Sequence, residues 1–309
     1  MKFEKNTGIS RRWLMKIAGL TGLASTLSLA AESSNEAGSK QSGSRKQLHE
    51  LTDEQRRNAE SMLELMDRRY AFFLQTIERF NSSRAVETRV FDLDKAHHEV
   101  SVARGEILEK AAWYTNYTKM ADPPYVPEAI WDNYLELDFH PKTPLLGQLH
   151  ATIYFTYMAN GASAIAGYMD YTPGTWIDED IQYMKASVDR VFEKYGKDID
   201  HYRKMLNRGY HKDKLKAACI GAAFYLPPML EINTENLSFV QEAHESFVNA
   251  YLDVLDKRKD EPFNESDLEN QAGMRKRWLE DHLFSDPFTM YVVPYEVWSF
   301  ADAPPVLYF

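Results

Sequence analysis

Residues 135–158 read LELDFHPKTPLLGQLHATIYFTYM. Leu135, Leu137 and Phe139 alternate with Glu136 and Asp138, the period of two that marks a half-buried β-strand. His140 ends that run, and His150 opens a more continuous apolar run over 151–158. If the two strands pair as a hairpin, their ends return close together and the two histidines converge. A histidine placed there can act as acid or base near neutral pH.

Further strands are predicted over 88–93, 98–103, 164–170, 220–226 and 289–293. Helices are predicted from about 53 to 80, behind a Thr52–Gln55 capping box, and over 177–195, 198–208, 237–258 and 264–282. Strands group with strands and helices with helices, which predicts an α+β fold. The strict βαβ alternation of a nucleotide-binding sheet is absent, as are a G-x-G-x-x-G turn and a Walker loop.

The chain has 309 residues and 46 acidic against 36 basic side chains, a net charge of −10. That balance argues against a nucleic-acid partner. Cys219 is the only cysteine, so no internal disulfide can form. At the N-terminus, Ser10-Arg11-Arg12-Trp13-Leu14-Met15-Lys16 precedes a moderately apolar run and then small residues at Ser28, Ala30 and Ala31. This is the pattern of a twin-arginine signal peptide, expected over 1–31. Residues 32–48 are rich in Ser, Gly and charge and are expected to be a disordered tether. A single domain is expected over 49–309, working in the periplasm or outside the cell after folded export by the twin-arginine machinery.

Two kinds of site suggest themselves. His97, His98, His140, His150, His201 and His211 are numerous enough to raise a metal, but no pair has the tight spacing of a helical zinc motif. Among them His140 and His150 are the best candidates, and copper would accept imidazole ligands. Asp170 closes an apolar strand before Tyr171-Thr172-Pro173-Gly174. Its carboxylate can accept ligand N–H groups or cap that turn.

The order of several short pieces resembles the oxygen-dependent coproporphyrinogen III oxidase family. They are Val100-Ser101-Val102-Ala103-Arg104-Gly105-Glu106, Phe139-His140-Pro141, His150-Ala151-Thr152-Ile153-Tyr154-Phe155, and Gly167-Tyr168-Met169-Asp170-Tyr171-Thr172-Pro173. Tyr195-Gly196-Lys197-Asp198, Ile220-Gly221-Ala222-Ala223-Phe224-Tyr225 and the run from Ala250 to Arg258 follow in the same order. The resemblance implies a large antiparallel sheet flanked on both faces by helices and assembled as a homodimer. It implies oxygen-dependent oxidative decarboxylation of a tetrapyrrole with no organic cofactor. His150 falls on the family's acid/base histidine, His140 on a proposed metal ligand, Asp170 on the aspartate facing pyrrole N–H groups, and Ser101 on its serine.

The departures are as informative. The family's His-x-Asn-x-Arg stands here as His150, Thr152 and Tyr154, which puts a threonine and a tyrosine at two substrate-binding positions. Its Arg-Gly-Ile-Gly-Gly stands as Ala218-Cys219-Ile220-Gly221-Ala222. Lys185 occupies the place of another histidine. Arginine grips carboxylates with paired, charge-assisted hydrogen bonds, so the losses imply a substrate other than a tetra-carboxylate porphyrinogen. The expectation is an exported oxidase with His150 and Asp170 retained. The alternatives are a non-catalytic haem or tetrapyrrole binder and a copper enzyme ligated by His140 and His150.

Overall fold

The computed structural model describes residues 45–119, 129–208, 210–225, 229–284 and 293–306. The expected signal peptide and most of the expected tether lie outside these residues, as does the strand expected over 289–293 apart from Val293, which is in no strand.

Helix α1, Asp53–Asn81, begins as its capping box predicts: Thr52 Oγ1 accepts the Gln55 N–H and the Gln55 side chain accepts the Thr52 N–H, each at 3.2 Å. It stops at Ser82, whose left-handed φ of 55° ends the helical path. Strands β1 (Glu87–Asp92), β2 (Ala96–Ala103), β3 (Leu108–Thr118), β4 (Ala129–Pro141) and β5 (Gln148–Met158) follow as an antiparallel meander. β6 (Ser163–Ala166) and β7 (Tyr168–Thr172) both pair with β5, and β8 (Ala222–Ala223) pairs with β7. The helices are α2 (Asp178–Lys194), α3 (Ile199–Arg203), α4 (Thr234–Arg258), α5 (Glu265–Phe284) and α6 (Tyr295–Ala301).

Several expectations are corrected. β3 was not foreseen because most of it is buried on both faces, which erases the alternation that reveals a strand. The single strand expected over 164–170 is two, broken at Gly167 (φ 124°), where a Cβ would stand 2.3 Å from Thr152 O. The strand expected over 220–226 shrinks to two residues, and the helix over 198–208 to five. The Pro-rich tail carries a helix, α6. Residues 45–48, expected to be disordered, are in place: Arg45 N–H donates to Lys119 O at 3.0 Å, and its guanidinium lies 4.4 Å from the Tyr117 ring centroid.

The sheet has two unlike faces. One is apolar: Leu135, Leu137, Phe139, Leu149, Ile153 and Met169 form a continuous core with α1, α2 and α4. Phe139 stacks near Phe73 of α1 and Tyr251 of α4, with ring centroids 6.4 Å apart in each case. Tyr251 also donates its hydroxyl to Gly147 O at 2.8 Å, tying α4 to the β4–β5 connection. The other face is polar and lies under α5 and α6. This is the α+β sheet flanked on both faces by helices.

Candidate functional site

The β4–β5 register places Asp138 opposite His150, Glu136 opposite Thr152 and Tyr134 opposite Tyr154. β7 then sets Asp170 opposite His150, and β3 sets Lys110 opposite His140 and Tyr114 opposite Glu136. Alternate residues of a strand share a face, so these side chains form one polar sheet surface. Most of it is buried; Glu136, Asp138, His140 and His150 all expose less than a tenth of their area.

Asp138 is the hub. Its Oδ2 meets His140 Nε2 at 3.0 Å and its Oδ1 accepts Gln148 Nε2–H at 2.8 Å. Burial pushes the Asp138 carboxyl up, but the His140 contact, with His150 and Lys110 nearby, outweighs it and holds the group below the usual range. Burial also depresses the proton affinity of His140 by more than Asp138 restores. The neutral imidazole then donates Nε2–H to the carboxylate. Lys110, buried beside them, has its ammonium pushed down to about 8, chiefly by loss of water.

His150 Nε2 lies 3.7 Å from Glu136 Oε2. Its ring stacks on Tyr168 at 4.9 Å and tilts against Trp278 of α5 at 5.1 Å. Tyr134 donates its hydroxyl to Glu136 Oε2. Burial first, and then the charge and hydrogen bond of Asp302, hold the Glu136 carboxyl well above its usual range. A buried carboxyl whose proton is held more tightly than usual thus stands next to a histidine.

The predicted residues divide. His140, His150, Thr152, Tyr154 and Asp170 share the polar face. Ser101 does not: it pairs with Trp113 on the apolar side of the sheet, and its hydroxyl lies 2.8 Å from that of Thr88. Thr152 Oγ1 accepts the Tyr168 N–H at 3.0 Å, and Tyr154 donates to Asp132 Oδ2 at 3.1 Å. Asp170 accepts backbone N–H groups of Cys219, Ile220 and Gly221 at 3.1, 3.1 and 3.3 Å. Burial still pushes its carboxyl up to about 6. Of its two expected tasks, the structure displays backbone capping, and it reaches across to the 219–221 loop as well as to Tyr171 at the start of its own turn.

His140 turns Nε2 to Asp138, and among the described residues no group of three His, Cys, Asp or Glu side chains is arranged to hold an ion.

The sequence model of the family described as coproporphyrinogen III oxidase matches residues 47–296. The chain belongs to the coproporphyrinogen III oxidase family. Membership supports an oxidoreductase-like function and a tetrapyrrole as the substrate class of the family. Within that family fold, sequence reasoning missed Tyr134, Glu136, Asp138, Lys110 and Asp302. Glu136 and Asp138 were in plain view as the polar half of an alternating strand. That half reads as a solvated face unless the C-terminal cover is known.

Proposed function

We propose that this chain is an exported, oxygen-dependent oxidase of the coproporphyrinogen oxidase family whose substrate carries fewer carboxylates than coproporphyrinogen III. The observation that carries the reading is the charge of the polar face. Asp132, Glu136, Asp138, Asp170 and Asp302 are buried there, five acids against the buried cations Lys110 and Arg275. Such a surface suits pyrrole N–H donors and repels propionates, because bringing one carboxylate against another in a buried site forces a proton onto the pair. His150 moves the proton, and Glu136 is its acidic neighbour. Transport folded through the twin-arginine route, a periplasmic location and a homodimer belong to the same proposal, resting on Ser10–Lys16 and on the family resemblance.

The test is oxygen uptake and product mass with porphyrinogens bearing four, two and no carboxylates. Uptake is expected with the two-carboxylate or neutral substrates and is lost in His150→Ala. Vinyl product from coproporphyrinogen III would overturn the altered-substrate reading. A second reading, a tetrapyrrole binder without chemistry, is favoured by Asp170, whose oxygens already serve the chain's own N–H groups. Stoichiometric tetrapyrrole on the purified protein, without oxygen uptake on any substrate, would select it.

A further inference from the structure

The apolar interior contains a charge. On α1, Leu65, Arg69, Phe73 and Ile77 recur every four residues and so share one face of the helix. Leu65, Phe73 and Ile77 belong to the core, and Arg69 among them is only 3 % exposed. The neighbouring helix α4 has the same irregularity. Val240, Phe247 and Val248 are core residues, and His244 between them is fully buried. The Arg69 guanidinium lies 4.3 Å from the Phe72 ring centroid, which fixes its plane. Its carboxylate partner, Glu245 of α4, stands at the rim. Nη1 and Oε1 are 4.0 Å apart, beyond hydrogen-bond reach, and Glu245 Oε1 instead accepts Gln241 Nε2–H at 3.1 Å. Burial draws the proton affinity of Arg69 down to about 10, so it is still a cation at neutral pH.

Nε and Nη2 form the side-on fork with which a guanidinium meets both oxygens of a carboxylate. Neither atom has a hydrogen-bond partner among the described residues. The Ala151 backbone favours the charged form of His244, yet neither ring nitrogen reaches hydrogen-bond geometry with a described residue. Burial, and then the charge of Arg69, hold that imidazole's proton affinity well below the usual range, so it is neutral and offers one N–H. Buried donors in native proteins are satisfied, and buried charges are paired. Water would satisfy the fork and leave the charge; an anion answers both. A cleft of about 230 Å³ between the two helices has Phe72 in its wall, the ring on which the guanidinium rests, and gives a small ion a way in. We propose that Arg69 and His244 form an internal site for a small monovalent anion, a halide or a one-carbon carboxylate, held on the Nε–H and Nη2–H fork between α1 and α4. The site belongs to the apolar side of the sheet, away from His150, and does not depend on what that histidine does.

The experiment is thermal unfolding of the full chain in chloride and in formate, joined to a crystal structure obtained from bromide. Sodium sulfate at equal ionic strength sets the non-specific salt effect. Binding to the folded chain alone raises the midpoint along a saturating curve, by roughly 5 °C at a hundredfold excess over the dissociation constant. Chloride or formate is expected to do this, and the more effective of the two identifies the class. Arg69→Leu removes the charge, suits the surrounding core and should abolish the saturating response. If that variant does not fold, Arg69→Lys keeps the charge without the fork and should weaken the more effective anion about tenfold; unchanged affinity there refutes the site. Bromide is expected as an anomalous peak within hydrogen-bond distance of Arg69 Nε and Nη2. Ordered water alone at the fork refutes the site, as does a salt response that never saturates or that survives unchanged in Arg69→Leu. A bromide peak without a saturating shift in solution marks binding at crystal concentration only and refutes it too.

Discussion

At the scale of single residues, burial sets the charges. Asp170 titrates at about 6 in the fold against 3.8 for the free group. The folded chain therefore holds its proton more tightly than the unfolded chain. This group's contribution is fully present below 3.8 and is lost as pH rises towards 6, by roughly 3 kcal/mol. Asp170→Asn should abolish that slope, so urea unfolding at several pH values across the window should show the wild type losing stability relative to the variant. Lys110 has the opposite form. Its proton affinity falls from 10.5 to about 8 in the fold, so its contribution is lost as pH falls through that range. Lys110→Met should raise stability at pH 7 by roughly 1–2 kcal/mol, measured by chemical denaturation. A loss of stability would show that the hydrogen bond from Lys110 Nζ to Ala303 O outweighs the buried charge.

At the scale of elements, the sheet depends on close backbone approaches. Gly221 lies where a Cβ would stand 1.9 Å from Met169 O, at the point where the β8 end meets β7. Gly221→Ala should push the 219–221 loop off Asp170 and lower the thermal midpoint, with a loss of order 2 kcal/mol or more. Thr52→Ala removes the acceptor for the Gln55 N–H at the start of α1 and should cost about 1 kcal/mol. The two variants differ in a second readout: only the first should alter the pH dependence attributed to Asp170. The elements themselves were unevenly legible. α1 and α4 announce themselves by caps and period, and β4 by alternation. β3 was hidden because its residues from Lys110 to Tyr114 are buried without a break. The β6–β7 break was hidden because Gly167 marks it only through its approach to the β5 backbone.

At the scale of the whole molecule, the sheet is an insulator between two interiors. The apolar interior under α1, α2 and α4 carries the stability, and Phe73→Ala at its centre should cost about 3–5 kcal/mol, read from denaturant midpoints. The polar interior under α5 and α6 carries the candidate chemistry. Export is a property of the whole chain as well. Replacing Arg11 and Arg12 by lysine should leave the folded protein in the cytoplasm, checked by cell fractionation, whereas an unchanged periplasmic fraction would remove the twin-arginine proposal.

The sequence by itself determined the fold class, because period, caps and motif order are local properties of the chain. It also brought His140 and His150 together through an expected hairpin, and the resemblance to the family added Thr152, Tyr154 and Asp170 to that site. Ser101 shows the limit: its place in a motif could not reveal that pairing turns its side chain to the opposite face. Only the tertiary structure decided what Glu136 and Asp138 are. In an exposed strand they would be ordinary solvated acids. Helices from the C-terminal part of the chain remove the water above them, and the loss of that water raises the proton affinity of one beside His150 and leaves the other as the hub of His140 and Gln148.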